Sequence, residues 1–164
     1  MNIVLLEPEI PYNAGAIGRT CLATGASLHL IRPLGFDISE RAVRRAGLDY
    51  WKFVDVHDYN NYESFLDENA GKGSMFFATT KAQKTYTDVT YEKNSYIIFG
   101  KESAGLPEEL LVQNRENCIR IPMLDEMRSL NLSVSAGIIL YEALRQNSFS
   151  GLTETGNLHR LKWS

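Results

Sequence analysis

The amino-acid sequence predicts a three-layer α/β/α fold built around a mostly parallel sheet. Short, β-rich apolar runs alternate along the chain with segments whose apolar residues recur at helical spacing. Alternating strands and helices form βαβ units, whose crossover helices cover both faces of a parallel sheet. The chain has 164 residues, of which 44% are hydrophobic, and this is enough for one such domain.

Each predicted element follows from its own residues. The strands are predicted at residues 3–6, 27–31, 53–56, 75–79, 96–99 and 118–121. The helices are predicted at residues 13–24, 39–46, 62–69, 107–113 and 131–146, of which the last has the clearest pattern. We expect a single domain over residues 1–164 with its core in about 1–147. The tail, 148–164, has two glycines and few aliphatic residues, so we expect it to be loosely held.

The composition disfavours several classes of protein. A net charge of -3 argues against a protein that coats nucleic acid without specificity, although a local basic patch is allowed. No apolar run approaches the ~18 residues of a membrane span, so we expect a cytoplasmic protein. Cys21 and Cys118 lie far apart in apolar surroundings, and His29, His57 and His159 share no ligand spacing. Neither a disulfide nor a metal site is predicted.

Two glycine-containing loops fail the tests for common nucleotide-binding motifs. In YIIFGKESAGLPEEL, Gly100 and Gly105 have P-loop spacing, but Leu106 and Pro107 stand where that motif needs Lys and Ser or Thr. The stretch NAGAIGRT lacks the three glycines of the dinucleotide fingerprint. An enzyme that depends on ATP or NAD is therefore disfavoured. Strong binding of either nucleotide to the protein would favour this class of enzyme again.

A third loop precedes the last helix. In IRIPMLDEMRSLNLSVSAGIILYE, residues 119–142, a strand closed by Pro122 leads through a polar loop into a helix that Asn131 or Ser133 can cap. A helix N-terminus beside strand ends suits a small polar ligand, because α/β sheets bind ligands beyond the carboxyl ends of their strands. The three loops together are a candidate binding site.

In this order and at these separations, the three loops resemble the motifs of the SPOUT class of RNA ribose methyltransferases. The matching stretches are Asn13-x-Gly15-x-x-x-Arg19, then FGKESAGLP with Glu102 and Gly105, then IPM followed by SLNLSVSAG. Each motif alone is weak, whereas the ordered set over residues 7–142 is specific. The stretches EPEIPYNAG and RRAGLDYW make the chain similar to the smallest members, bacterial enzymes that methylate the wobble cytidine or uridine of tRNA.

The resemblance implies more than the residues alone establish. It implies a C-terminal trefoil knot (an alpha/beta knot), an S-adenosyl-L-methionine site within that knot, and a homodimer whose active site lies at the subunit interface. It implies no metal. The cofactor-binding residues that it implies are Ala78, Thr79, Gly100, Glu102, Gly105, Ile121, Met123, Ser129, Leu130 and Asn131. The adenine would meet backbone groups there, so these side chains can be plain.

The catalytic residues that the resemblance implies are Arg19, Asn13, Glu102 and Tyr141. Arg19 looks placed on the inner face of the first helix, where the class assigns it general-base work on the 2'-hydroxyl. A guanidinium stays protonated at ordinary pH, so it could instead hold a phosphate or stabilise a developing alkoxide. Asn13 would position Arg19 or the substrate, Glu102 would orient loop donors or Arg19, and Tyr141 would touch the substrate or the partner subunit. Taken singly, Arg19 also fits a salt bridge and Tyr141 fits the core.

A basic helix is the candidate RNA-binding surface. Arg41, Arg44 and Arg45 share one face of the second predicted helix, and a solvated face is the alternative interpretation. Arg160 and Lys162 in the tail are weaker candidates. An acidic protein with local basic patches needs a shaped RNA, which fits the tRNA anticodon stem-loop. A methyltransferase of another tRNA or rRNA position, or an RNA-binding module that has lost its chemistry, stays open beside the tRNA enzyme.

Overall fold

The computed structural model describes residues 1–45 and 47–163, without the side chains of Glu40 and Arg44. Strands and helices alternate along this part of the chain, as predicted. They are β1 Asn2–Leu6, α1 Pro11–Thr24, β2 Ser27–Ile31, α2 Glu40–Arg45, β3 Val56–Tyr59, α3 Tyr62–Asn69, β4 Met75–Ala78, β5 Lys84–Thr85, β6 Tyr96–Phe99, α4 Glu108–Gln113, β7 Cys118–Arg120 and α5 Leu132–Gln146. Short 3-10 helices are formed by Trp51–Phe53 and Arg115–Asn117.

The seven strands form one sheet in the order β3-β2-β1-β6-β4-β7-β5, and each of these neighbouring pairs is parallel. Asn2 at the start of β1 is in register with Ser27 of β2 on one side and with Tyr96 of β6 on the other. The parallel sheet that the βαβ pattern predicts is therefore confirmed. The carboxyl ends of β1, β6, β4 and β7 lie together at one edge of the sheet.

The helices cover both faces of the sheet and create two hydrophobic clusters. On one face, Ile3 and Leu5 of β1 pack with residues of α1 and α5. On the other face, Val4 and Leu6 pack with Phe65 of α3 and with residues of α4. Strands buried on both faces have continuous apolar sequences, which is why this pattern identified them. Burial of each such side chain contributes about 1.5–3 kcal/mol, and it fixes the positions of the strand ends.

Two predictions about local structure need correction, and one strand is absent from the predicted set. The predicted strand 53–56 is instead the end of a 3-10 helix followed by β3, which begins at Val56. β3 is an edge strand with exposed polar side chains in its middle, so its apolar signal is weak. β5 has two residues and no apolar run. The first part of the tail is not loose, because Phe149 and Leu152 pack against the core.

Within the described residues, no helix is long and apolar enough to cross a membrane. Cys21 and Cys118 are both buried free thiols, as the sequence predicts.

A buried polar cluster links β2, β3, α3 and β6. His29 is 3% exposed, its Nδ1 lies 3.0 Å from the Tyr59 hydroxyl, and its Nε2 lies 3.2 Å from Oδ1 of Asn2. Asn69 donates to the Tyr59 hydroxyl and accepts from the Tyr96 hydroxyl. Burial, followed by the nearby His57, lowers the pKa of His29 from 6.5 to about 4.

The neutral form of His29 makes the stability of the fold depend on pH. Because its folded pKa is below the unfolded value, its contribution is complete above pH ~6.5 and is lost as the pH falls towards 4. We expect the free energy of unfolding in urea to decrease over this range, by up to about 3 kcal/mol from this residue. His29→Gln should flatten the slope between pH 7 and pH 4.5, whereas His159→Gln in the exposed tail should not. Equal slopes in the wild type and His29→Gln would contradict this assignment.

Candidate active site

A cavity of about 620 Å³ lies at the carboxyl edge of the sheet. It is formed by the loops after β4, β6 and β7, by the start of α1 and by the N-terminus of α5. The structure brings all ten predicted cofactor-binding residues to its wall. These are Ala78, Thr79, Gly100, Glu102, Gly105, Ile121, Met123, Ser129, Leu130 and Asn131. Asn13 also lines the cavity, so residues from all three sequence motifs meet there.

Asn13 connects the three motifs through its side-chain amide. Its Nδ2 donates to Oε1 of Glu102 at 2.8 Å, and its Oδ1 accepts from Nδ2 of Asn131 at 3.0 Å. Asn13 is 6% exposed, so these two bonds satisfy an amide that is largely removed from water. No other residue type of this size both donates and accepts in this way. These contacts do not include Arg19 of the same chain, and the positioning of Arg19 or of the substrate by Asn13 stays a prediction.

Glu102 organises the start of α1. Its carboxylate accepts from the backbone N–H of Glu9 at 2.8 Å and of Ile10 at 3.3 Å, in addition to the bond from Asn13. Ile10 is the N-cap of α1 and provides no side-chain cap, so the carboxylate lies where the helix dipole favours negative charge. Of the two predicted roles for Glu102, orientation of loop donors agrees with these contacts, and orientation of Arg19 stays a prediction.

A second pair of contacts closes the same two loops. The Glu9 carboxylate accepts from the backbone N–H of Ser103 at 2.9 Å and from its hydroxyl at 2.8 Å. These hydrogen bonds lower the pKa of Glu9. Lys101 donates to Glu7 at 2.7 Å, and this contact raises the pKa of Lys101. The loop after β6 is therefore held to the loop after β1 by charged hydrogen bonds on both sides of Glu102.

The loop after β6 requires glycine at two positions. A Cβ on Gly100 would lie 2.1 Å from the carbonyl carbon of Gly105, so the loop doubles back against its own backbone. Gly105 has a φ of +72°, which L side chains rarely adopt. Its N–H donates to the carbonyl of Lys101 at 2.8 Å. These glycines shape the loop, and this explains the P-loop-like spacing without a phosphate-binding sequence.

Asn131 caps α5, as the sequence predicts. Its Oδ1 accepts from the backbone N–H of Ser133 at 2.9 Å and of Val134 at 3.3 Å. Ser133 is the first-turn neighbour rather than the cap, and its hydroxyl donates to the same oxygen. One amide thus begins the helix with its oxygen and binds Asn13 with its nitrogen.

Arg19 is not on the inner face of α1, so that prediction is wrong. The residue is exposed, and its guanidinium carbon lies 4.4 Å from the centroid of the Tyr50 ring. Residues two positions apart on a helix point about 200° apart, and the core contains Ile17 and Cys21. Arg19 therefore points away from the sheet. It is absent from the described wall of the cavity.

The remaining predicted residues lie outside the cavity. Tyr141 is 49% exposed, so it is not a core residue. It also does not line the cavity of its own chain. Arg41 and Arg45 are exposed on α2, one helical turn apart. The side chain of Arg44 lies outside the described part of the chain.

Sequence reasoning missed several lining residues. Lys81 and Arg128 are cations on the cavity wall, and Lys81 donates to Glu108 at 2.6 Å. Lys81 comes two residues after Thr79, so the rule that ligands bind beyond strand ends could have found it. Among the described residues, no group of three or more His, Cys, Asp and Glu side chains could hold a metal ion.

The cavity wall combines apolar side chains with free backbone groups. Across residues 1–45 and 47–163, no backbone hydrogen bond outside the strands and helices engages Ile121 or Met123. Unpaired amides and carbonyls can recognise the edge of a heteroaromatic ring, while Ile119 and Ile139 provide apolar contact. The site can therefore bind and orient a small molecule that has both an aromatic and a polar part.

Comparison with known proteins identifies the class of enzyme. Residues 1–141 match the model of the SpoU rRNA Methylase family, so the chain belongs to this family. A tRNA (cytidine(34)-2'-O)-methyltransferase of Yersinia pestis is 44% identical over 156 residues, which cover 92% of this chain and 96% of that protein.

Solved structures agree with this membership. One that addresses the 2-OH methylation of C/U34 on tRNA is 42% identical, has a TM-score of 0.82, and is matched over 90% of this chain and 95% of its own. An AdoMet-bound rRNA methyltransferase from Sinorhizobium meliloti is 28% identical with a TM-score of 0.74. It is matched over 88% of this chain and 55% of its own.

The double role of the Asn13 amide yields a test by substitution. Asn13→Ala should lower the free energy of unfolding by about 1–3 kcal/mol, because it leaves polar groups of Glu102 and Asn131 without partners. Asn13→Asp should lower the free energy of unfolding further at pH 7, since it replaces the amide donor with a second carboxylate beside Glu102. This additional loss of stability in Asn13→Asp should become smaller at pH 4, where one of the two carboxyl groups is protonated and can donate a hydrogen bond to the other.

Urea unfolding at both pH values measures this difference, with Asn157→Ala in the exposed tail as the control. An Asn13→Asp variant as stable as the wild type at pH 7 would show that the amide does not connect the loops.

Proposed function

We propose that this protein is an S-adenosyl-L-methionine-dependent methyltransferase that methylates the ribose 2'-hydroxyl of the wobble cytidine or uridine in the tRNA anticodon loop. The observation that carries the proposal is the cavity in which Asn13, Glu102 and Asn131 join the three motifs. The chain belongs to a family of RNA methylases, and a relative of nearly equal length is a tRNA (cytidine(34)-2'-O)-methyltransferase. The ten residues implied for the cofactor all line the same cavity.

The residues present fit S-adenosyl-L-methionine. A cavity of about 620 Å³ is within the usual range for ligands of this size. The free backbone groups of Ile121 and Met123 suit the adenine edge, and the N-terminus of α5 suits a polar group. When bound, the cofactor supplies a methyl group on a positively charged sulfur. The protein has to align the ribose oxygen with that methyl group and make the oxygen more anionic.

The proposed reaction is completed by a second copy of the chain. Arg19 does not line the cavity of its own chain, so its proposed catalytic role requires that the cavity of a second subunit lies beside it. Tyr12 and Leu22 share with Arg19 the outward face of α1, and α1 packs beside α5, where Val134 and Tyr141 are exposed. Exposed apolar side chains on two adjacent helices favour a homodimer interface. The active site would then lie between subunits, where Tyr141 also could reach the substrate.

Arg19 acts in this proposal as a fixed positive charge. A guanidinium remains protonated at ordinary pH, so it stabilises the developing alkoxide or holds a neighbouring phosphate instead of removing the proton. Its contact with the Tyr50 ring restrains the side chain without neutralising it.

The extent of the domain and its location follow from the same proposal. We take residues 1–164 as one methyltransferase domain, with the C-terminal trefoil knot that the resemblance implies around the cavity. An enzyme that modifies tRNA is expected in the cytoplasm.

Methyl transfer to tRNA tests the proposal. The protein is incubated with S-adenosyl-L-methionine and tRNA from cells that lack it, and nuclease fragments are analysed by mass spectrometry. A 2'-O-methylated pyrimidine at position 34 is the expected product. A methyl group at another tRNA position or in rRNA would show that the enzyme has a different RNA substrate from the one proposed. Cofactor binding without methylation of any RNA would indicate a module that has lost its chemistry.

Substitution of Arg19 tests its role. Arg19→Ala should reduce kcat about 100-fold or more, as removal of one charge-stabilising donor does in other enzymes, and Arg19→Lys should retain part of the rate. The matched control is Arg115→Ala, because Arg115 is an exposed arginine that donates to Gln83 at 2.9 Å and does not line the cavity. Single-turnover rates with saturating tRNA measure the effect. Full activity of Arg19→Ala would exclude a catalytic role.

The basic face of α2 is proposed to bind RNA phosphates. Replacement of both Arg41 and Arg45 by Ala should weaken binding of tRNA and reduce the slope of log K against log salt by about 1.4–1.8, since each lost phosphate contact removes 0.7–0.9. Affinity measured at several salt concentrations gives the slope, again with Arg115→Ala as control. An unchanged slope would mean that α2 presents a solvated face only.

A further inference from the structure

The 3-10 helix Trp51–Phe53 presents an exposed aromatic ring that nothing in the fold explains. Phe53 is 67% exposed, although burial of such a side chain would stabilise the fold. Trp51, two residues before it, contacts the core, and Val54, directly after it, is buried. The turn that holds it is regular, with hydrogen bonds from Phe53 N to Tyr50 O at 2.9 Å and from Val54 N to Trp51 O at 3.0 Å. Phe53 is therefore an exposed ring on a fixed backbone.

One cation lies beside this ring, and others lie on neighbouring parts of the chain. The Nζ of Lys52 lies 4.9 Å from the centroid of the Phe53 ring. Arg19 lies over the nearby Tyr50 ring, and Arg41 and Arg45 are exposed on the helix that precedes this segment. Residues 39–54 contain four basic and two acidic residues, in a chain whose net charge is -3. The local charge is thus opposite to that of the whole protein.

The segment is attached to the helix that lines the cavity. The Tyr50 hydroxyl donates to the carbonyl of Gly15 at 2.8 Å. The Trp51 ring packs directly on Gly18, where a Cβ would lie 2.7 Å from a ring carbon. Asn13, at the cavity wall, and Gly18 are five residues apart on α1, which is about 8 Å along the helix axis. The segment is therefore anchored to α1 less than two helical turns from the cavity wall.

We propose that Phe53 and Lys52 form a stacking site for an unpaired base of the substrate RNA loop, which rests on the proposed RNA methyltransferase function. An aromatic ring beside cations is the combination that binds single-stranded nucleic acid, because every base offers a π-face and a neighbouring phosphate. Lys52 covers part of the Phe53 ring, and the base stacks on the part of the ring that stays exposed. Arg41 and Arg45 bind phosphates that flank it.

RNA is favoured over a second protein copy because of charge. An interface between identical basic segments would bring like charges together, whereas an RNA backbone neutralises them. A purely apolar contact would also not require the cations beside the ring.

Substitution at Phe53 tests the site. The binding of a fluorescein-labelled anticodon stem-loop RNA is measured by anisotropy, and KM and kcat are measured with tRNA. Phe53→Ala should raise the Kd and KM for RNA about five- to 150-fold, because loss of one base–aromatic stack has an effect of this size. The change should fall mainly on KM. Phe53→Tyr should restore binding, since it keeps the ring.

The controls separate this site from other roles of the residue. Val112→Ala removes a similarly exposed apolar side chain on α4 and should leave RNA binding unchanged. Phe53→Ala should bind S-adenosylhomocysteine as the wild type does and should sediment at the same rate. If Phe53→Ala binds RNA as tightly as the wild type, or if it dissociates into monomers, the stacking site is overturned. The proposed function is unaffected by either result as long as the wild type methylates tRNA. A wild type that binds no tRNA would overturn both.

Discussion

The side-chain amide of Asn13 is the interaction on which the cavity depends. It donates to Glu102 and accepts from Asn131, so one residue at the start of α1 holds the loop after β6 and the N-terminus of α5 in one arrangement. Each partner has a second task. Glu102 binds two backbone N–H groups at the beginning of α1, and Asn131 caps α5. Because both helices also pack on the same face of the sheet, the core and the cavity are coupled through these bonds.

The cavity itself is formed mainly by backbone. The parallel sheet places four strand ends at one edge, and Gly100 lets the loop after β6 fold back upon Gly105. Side chains on the wall can therefore be plain if, as we propose, the amides and carbonyls that the loops leave unpaired recognise the ligand. Further charged and aromatic groups lie outside the cavity, on the outer surface of α1 and on the segment that packs against it, where Arg19 and Phe53 are exposed.

Much of the fold and of the cavity could be predicted from the sequence, because buried parallel strands leave continuous apolar runs and because three motifs mark the loops. Residue patterns do not encode contacts between distant elements as directly. Small residues beside Arg19 suggest an inner placement, but the absence of side chains at Gly15 and Gly18 instead leaves room for Leu48 and Trp51. The sequence did not predict the correct bounds of β3, because His57 and Asp58 interrupt the apolar pattern of this edge strand. The bonds of Asn13 span 89 and 118 residues, and only the folded chain reveals them.

The central claim is that these bonds create the cofactor site, and calorimetric titration with S-adenosylhomocysteine tests it most directly. The wild type and Glu109→Ala, which removes an exposed carboxylate of α4, should bind with the same Kd. Glu102→Ala should bind about tenfold more weakly or worse, because the loops lose three hydrogen bonds to one carboxylate. Circular dichroism establishes that each variant is folded. Equal affinity of a folded Glu102→Ala, or no binding by the wild type, would contradict the account.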